Sequence, residues 1–167
     1  LWSIRFIRQA ARGFLHNCTY TLLTNPFFGS LPPKTAIMPI EGKYKLTKSE
    51  NFEEYMKAIG VNMVMRKLAA SATPETEISQ ADGSYKIKTS TTFKTTEINF
   101  KLGEPFDEET ADGRKCKSTI TLDGDTMIHS QDCGGTTYEI LRKFTDSDMT
   151  MILKHGEVTS TRVYAKP

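Results

Sequence analysis

The chain predicts an all-β fold, a barrel or sandwich of ten antiparallel strands in a meander, interrupted once by a pair of short helices. Three observations carry this. Beyond Pro74 the sequence divides into strand-like runs of about six to eight residues, the regular spacing of such folds. Between the runs stand Asp82-Gly83, Leu102-Gly103, Asp112-Gly113, Asp123-Gly124, Gly134-Gly135, Asp146-Ser147-Asp148 and His155-Gly156, residues that supply the positive φ angles of tight hairpins. The one stretch with helical rather than alternating spacing lies between Asn51 and Ala70.

Residues 1–37 differ in character from the rest. They carry Arg5, Arg8, Arg12 and Lys34, have no acid, and end in the breaker-rich Gly29-Ser30-Leu31-Pro32-Pro33. That composition resembles an organellar transit peptide. Met38 offers a natural start, so residues 1–37 are expected to be an extension with no part in the fold, and 38–167 the functional domain.

From Gly42 to Thr47 polar and apolar residues alternate as in a half-buried strand, with Tyr44 and Leu46 facing inward. Asn51 then stands where it can cap a helix, with Glu54 in the capping-box position and Gly60 at the end. Phe52, Tyr55, Met56 and Ile59 fall on one face of that helix. A second helix over about Asn62 to Ala70 follows so closely that the two form a helix-turn-helix too small to stand alone. It must rest on the strands, of which nine follow.

Composition excludes several function classes. With 167 residues, 38% hydrophobic and 25% charged, the chain is one domain of ordinary globular make-up. Its formal charge of +2 comes from the extension, whose removal leaves 18 basic against 20 acidic residues. Nucleic acid binding, which requires a basic field, is not expected. Cys18, Cys116 and Cys133 are odd in number and form no CxxC or Cys/His cluster. Neither a disulfide framework nor a zinc site is expected, and a reducing, cytoplasmic compartment fits. His16, His129 and His155 are isolated, with structural or surface roles expected, and no cofactor or metal is called for. No apolar run approaches the roughly 20 residues of a membrane-spanning helix.

Two arginines stand out within this frame. In the last strand-like stretch Arg162 and Tyr164 are two residues apart and share a face. Upstream, Arg142 has the same parity as Tyr138, Ile140 and Phe144, the inward apolar set. An inward-facing guanidinium demands an anion.

The stretch Gly42-Lys43-Tyr44-Lys45-Leu46, followed after four residues by Asn51-Phe52-Glu53-Glu54-Tyr55-Met56 and Ile59, resembles the amino-terminal signature of the intracellular fatty-acid-binding proteins at every defined position. The resemblance continues through residues 90–103, 106–115, 119–124 and Thr161-Arg162-Val163-Tyr164. It spans 38–167 along the heart, adipocyte and myelin branch, and residues 1–37 have no counterpart. Cys133 departs from it, standing where the heart-type protein has tryptophan, and Met63 and Met65 make the helices methionine-rich.

The resemblance implies a ten-stranded β-clam, two five-stranded sheets closing around a water-filled cavity with the helical pair as a lid. It implies a monomeric, non-enzymatic carrier of long-chain fatty acids, the carboxylate held by Arg142, Arg162 and Tyr164. A retinoic-acid-type carrier shares that head-group site and is the alternative, with a lipid-processing enzyme on the same fold further behind. No G-x-S-x-G elbow or close Ser/His/Asp grouping is present for such chemistry. Resemblance and parity place Phe52, Tyr55, Met56, Val61, Val64, Ile98, Met151 and Leu153 along the acyl chain and Phe93 at the portal. Thr76, Asp112, His129 and Gln131 correspond to polar cavity positions. Lys57, Arg66 and Lys67 resemble lid positions that some relatives use for transient membrane contact or nuclear import.

Overall fold

The computed structural model describes residues 40–167. The transit-peptide-like extension and Met38 lie outside the described residues.

Ten strands and two helices follow in order: β1 (Gly42–Glu50), α1 (Phe52–Ala58), α2 (Met63–Ser71), β2 (Glu75–Ala81), β3 (Ser84–Ser90), β4 (Thr95–Phe100), β5 (Phe106–Glu109), β6 (Lys115–Asp123), β7 (Thr126–Asp132), β8 (Thr137–Phe144), β9 (Asp148–His155) and β10 (Val158–Ala165). All ten strands join one antiparallel sheet in the order β4-β3-β2-β1-β10-β9-β8-β7-β6-β5. The expected all-β barrel with a helical pair after its first strand is thus the observed one. Consecutive strands pair throughout except β4 with β5, β1 and β2 doing so across the helical pair, and one long-range pairing, β1 with β10, joins the ends of the meander. The sheet's edges are β4 and β5, and aromatic packing spans them: Phe100 closing β4 stacks on Phe106 opening β5 at 5.6 Å.

β1 serves two neighbours by bending. Its first half pairs with β2, its second with β10, and the register slips between Leu46 and Lys48. Such a bulge turns a strand without ending it. Tyr44 and Leu46 face inward as their alternation requires, and the Tyr44 hydroxyl donates to the Ile40 carbonyl at 2.8 Å. Tyr44, Ile78, Ile120, Met127, Phe144 and Met149 are almost wholly buried and form the dry part of the core.

The helices correct one detail of the sequence reading. Asn51 precedes α1 in the left-handed region, φ 57°, and makes no capping bond. Its side chain instead donates to the Thr159 carbonyl of β10 at 2.8 Å. Asparagine is among the few residues that tolerate this conformation, and its side chain ties the start of α1 to the barrel. Asn62 does cap α2, accepting from Met65 N at 3.0 Å. Tyr55 and Met56 anchor α1 in the core, whereas no residue of α2 is buried.

The cysteine reading is overturned. Cys116 and Cys133 form a disulfide. Their separation of 17 residues gives no hairpin signal, but β6 and β7 pair Lys117 with Asp132, so the next position along brings the two cysteines face to face with Cα atoms 4.1 Å apart.

Candidate functional site

A cavity of about 260 Å³ opens beneath the helices. Its walls are mostly apolar, from Phe52, Tyr55 and Met56 of α1, Val61 between the helices, Met65 of α2, and Ile140, Met151 and Leu153 of β8 and β9. A threonine ladder forms another wall. Thr76, Thr89 and Thr96 are cross-strand neighbours on β2, β3 and β4; Thr89 and Thr96 reach the cavity and Thr76 is buried behind them, 3.3 Å from the Thr89 hydroxyl.

Cross-strand register builds the charged end. Met151 on β9 is the partner of Arg142 on β8 and of Arg162 on β10, so the two arginines flank one methionine along a single rung. Parity then turns all three inward, with Tyr164 two residues beyond Arg162 on the same face. Both guanidiniums are 7% exposed, neither is ion-paired among the described residues, and the Nε of each has no hydrogen-bond partner there. Burial pushes both arginine pKa values down and pushes Tyr164 up, the arginines opposing that rise. Phe52 lies over the Arg162 guanidinium at 3.9 Å, a cation–π contact that holds the plane of the group.

Arg142 differs from Arg162 in having a polar trail behind it. Its Nη1 donates to His129 Nδ1 at 3.4 Å, and His129 Nε2 meets the Glu108 carboxylate at 2.9 Å. With Nδ1 accepting, the proton sits on Nε2, the neutral tautomer that serves both bonds. Burial favours that neutral form and pushes the His129 pKa down, the facing Arg142 charge adding to it against the Glu108 bond. Burial alone would raise Glu108, but hydrogen bonds from His129, from Ser118 at 2.6 Å and from Gln131 hold it at about 2. Arg142 therefore faces a nearby negative charge through one imidazole, and no carboxylate acts on Arg162 among the described residues.

At the mouth, Arg114 Nε donates to Asp112 at 2.7 Å and its guanidinium stacks on Tyr138 at 4.4 Å. Thr110 closes the loop by donating to Asp112. Burial raises the Asp112 carboxyl, but the bonds from Arg114 and Thr110 outweigh it and draw the group down. Tyr55 beside them is pushed up to about 12 by burial.

The profile of the lipocalin / cytosolic fatty-acid binding protein family matches residues 41–166. The chain belongs to that family. It is 53% identical over 128 residues to sodium/calcium exchanger regulatory protein 1 of Doryteuthis pealeii, covering 76% of this chain and 96% of that protein. Among solved structures it resembles the REP1-NXSQ fatty acid transporter, with TM-score 0.73 and 51% identity over 76% of this chain and 95% of that one. It also resembles the Schistosoma mansoni fatty acid binding protein in complex with arachidonic acid, with TM-score 0.75 and 30% identity over 78% and 98%.

Within this lipocalin / fatty-acid-binding fold, Phe52, Tyr55, Met56, Val61, Asp112, Gln131, Met151, Leu153, Arg162 and Tyr164 line the cavity. Arg142 and His129 sit buried behind that lining, and Thr76 behind Thr89. Phe93 and Val64 are 62% and 68% exposed and stand outside it, Phe93 in the turn between β3 and β4; Ile98 is partly buried against the core. Sequence reasoning missed Glu108, Ser118 and Arg114. Glu108 shares inward parity with Phe106, but Asp107-Glu108-Glu109 reads as a solvated acidic run, and only the closure of β5 onto β6 shows which carboxylate turns in.

Proposed function

We propose that this chain is a carrier of long-chain fatty acids, binding the acid in the cavity with its carboxylate at Arg162, Tyr164 and Arg142. One observation carries the reading: two buried guanidiniums without an ionic partner among the described residues, at the end of an apolar-walled cavity. An uncompensated buried charge is costly, and a ligand carboxylate would supply two or more charge-assisted bonds there. The related fatty acid transporter and the arachidonic acid complex support the same ligand class.

Arg162 is the principal contact, because Glu108 already compensates part of the Arg142 charge. Asp112 and Gln131 are polar cavity groups, and Phe52, Tyr55, Met56 and Leu153 meet the acyl chain. Thr76 acts through Thr89. The carrier works without catalysis. Ser118 supports this, since its hydroxyl donates to a carboxylate and leaves no nucleophile–base pair with His129. A turnover assay with fatty acyl esters is expected to show no hydrolysis.

The domain is residues 38–167, acts as a monomer in the cytosol, and delivers its ligand by contact of the helices with membranes. Met63, Val64, Met65 and Leu68 of α2 are exposed, with the exposed Lys67 on the same helix and Lys57, 3.8 Å from Glu54, on α1. Arg66 is not part of that surface, since its Nη1 folds back onto the Val61 carbonyl at 2.8 Å.

The test is equilibrium binding of a fluorescent fatty acid to the wild type and to Arg162→Gln. A loss of about 1.5 to 3 kcal/mol, roughly 10- to 150-fold in Kd, is expected for a hydrogen bond to a charged group. Unchanged affinity for acids, with the matching alcohol binding equally well, would falsify the anion site.

A further inference from the structure

The Cys116–Cys133 bridge lies at the open end of the β6–β7 pair, on the inward faces of both strands. Its two sulfurs differ. Cys116 is 5% exposed near the start of β6, where it pairs with Glu108 of β5, whereas Cys133 is half-buried and follows the end of β7 at the Gly134-Gly135 turn. Arg114 Nη1 lies 3.9 Å from Cys133 Sγ, and the guanidinium is held there by Asp112 and Tyr138. A fixed cation beside a sulfur favours thiolate over thiol.

We propose that Cys133 and Cys116 form a reversible exchange site for small thiols and disulfides, with Cys133 the attacking sulfur and Cys116 the resolving one. In the reduced chain the Cys133 thiolate attacks one sulfur of the small disulfide. A Cys133–sulfur bond forms, the small disulfide breaks, and one small thiolate leaves. Cys116, having given up its proton, attacks Cys133 Sγ and expels the second small thiolate. Two electrons pass to the small disulfide, and the two protons end on the released thiols. Two small thiols run the sequence backwards.

The experiment uses the full chain with Cys18→Ser, so that only this pair reports. After reduction, the chain is mixed with oxidised glutathione, quenched with acid, and weighed by mass spectrometry over time. The parent is expected to close its disulfide with little adduct. Cys116→Ser is expected to hold one glutathione on Cys133, and Cys133→Ser to react at least about tenfold more slowly. Arg114→Leu should slow the first step roughly threefold to tenfold, with Arg114→Lys near the parent. Equal rates for the two serine variants, or a parent that stays glutathionylated without closing, overturn the proposal. Should loss of Cys116 unfold the chain, brief alkylation of the reduced parent reads the same asymmetry: Cys133 is modified first, and equal modification of both cysteines overturns it.

Discussion

At the residue scale the buried trail Arg142–His129–Glu108 couples the site to pH. Both titrating members have folded pKa values below their ordinary ones. A group lowered in this way binds protons more readily when unfolded, so its stabilisation is complete above the unfolded value and lost as pH falls. For His129 the loss begins near 6.5, the ordinary histidine value. For Glu108 it begins near 4.5 and continues to about 2. The Glu108 contribution is roughly 3 kcal/mol above that window. Urea midpoints measured from pH 7 to pH 3 should therefore fall in two stages. His129→Gln is expected to flatten the upper stage and Glu108→Gln the lower; a variant whose stability tracks the wild type at every pH would show that its side chain is not the coupled one.

At the element scale the two helices differ in how they are held. α1 buries Tyr55 and Met56 and is tied to β10 through Asn51, while α2 buries nothing and depends on its Asn62 cap. Removing a cap costs about 1 kcal/mol. In Asn62→Ala that loss should stay local, because few tertiary contacts transmit it. The expected result is amide exchange about fivefold faster within Met63–Ser71 and an almost unchanged global urea midpoint. Exchange that is uniformly faster across the strands would mean that α2 is a structural part of the barrel rather than a separately moving lid.

At the scale of the whole molecule, four of the six exposed large apolar side chains among the described residues, Met63, Val64, Met65 and Leu68, lie on α2. Apolar side chains with adjacent lysines bind best to anionic lipid, each lysine adding about 1 kcal/mol near such a surface. Ligand transfer to anionic vesicles is expected to slow with rising salt, and Lys57→Gln and Lys67→Gln to slow it by roughly fivefold each. Transfer to uncharged vesicles should ignore both changes. Rates that depend only on ligand dissociation, whatever the vesicle, would sink the contact mechanism. The disulfide adds a second whole-molecule effect. Closing a loop of 17 residues between Cys116 and Cys133 restricts the unfolded chain, and its removal should cost about 3 kcal/mol.

What could be read from the sequence alone was whatever repeats every two residues or marks a turn. Alternation set the inward faces of β1 and β8, turning Arg142 inward before any pairing was known, and put Arg162 and Tyr164 on one face of β10, which the family resemblance assigned to the cavity. Gly and Asp-Gly pairs placed the hairpins, since positive φ is a local demand. Only the tertiary structure decided who faces whom. Register set Met151 between the two arginines and brought Cys116 opposite Cys133. Closure of β5 onto β6 turned Glu108 toward Ser118 and His129, and the turn after β3 left Phe93 outside. The division is physical: side-chain direction along a strand is fixed by its own backbone, whereas a charge's partner, a sulfur's partner and a cavity wall depend on which distant strand the fold sets beside it.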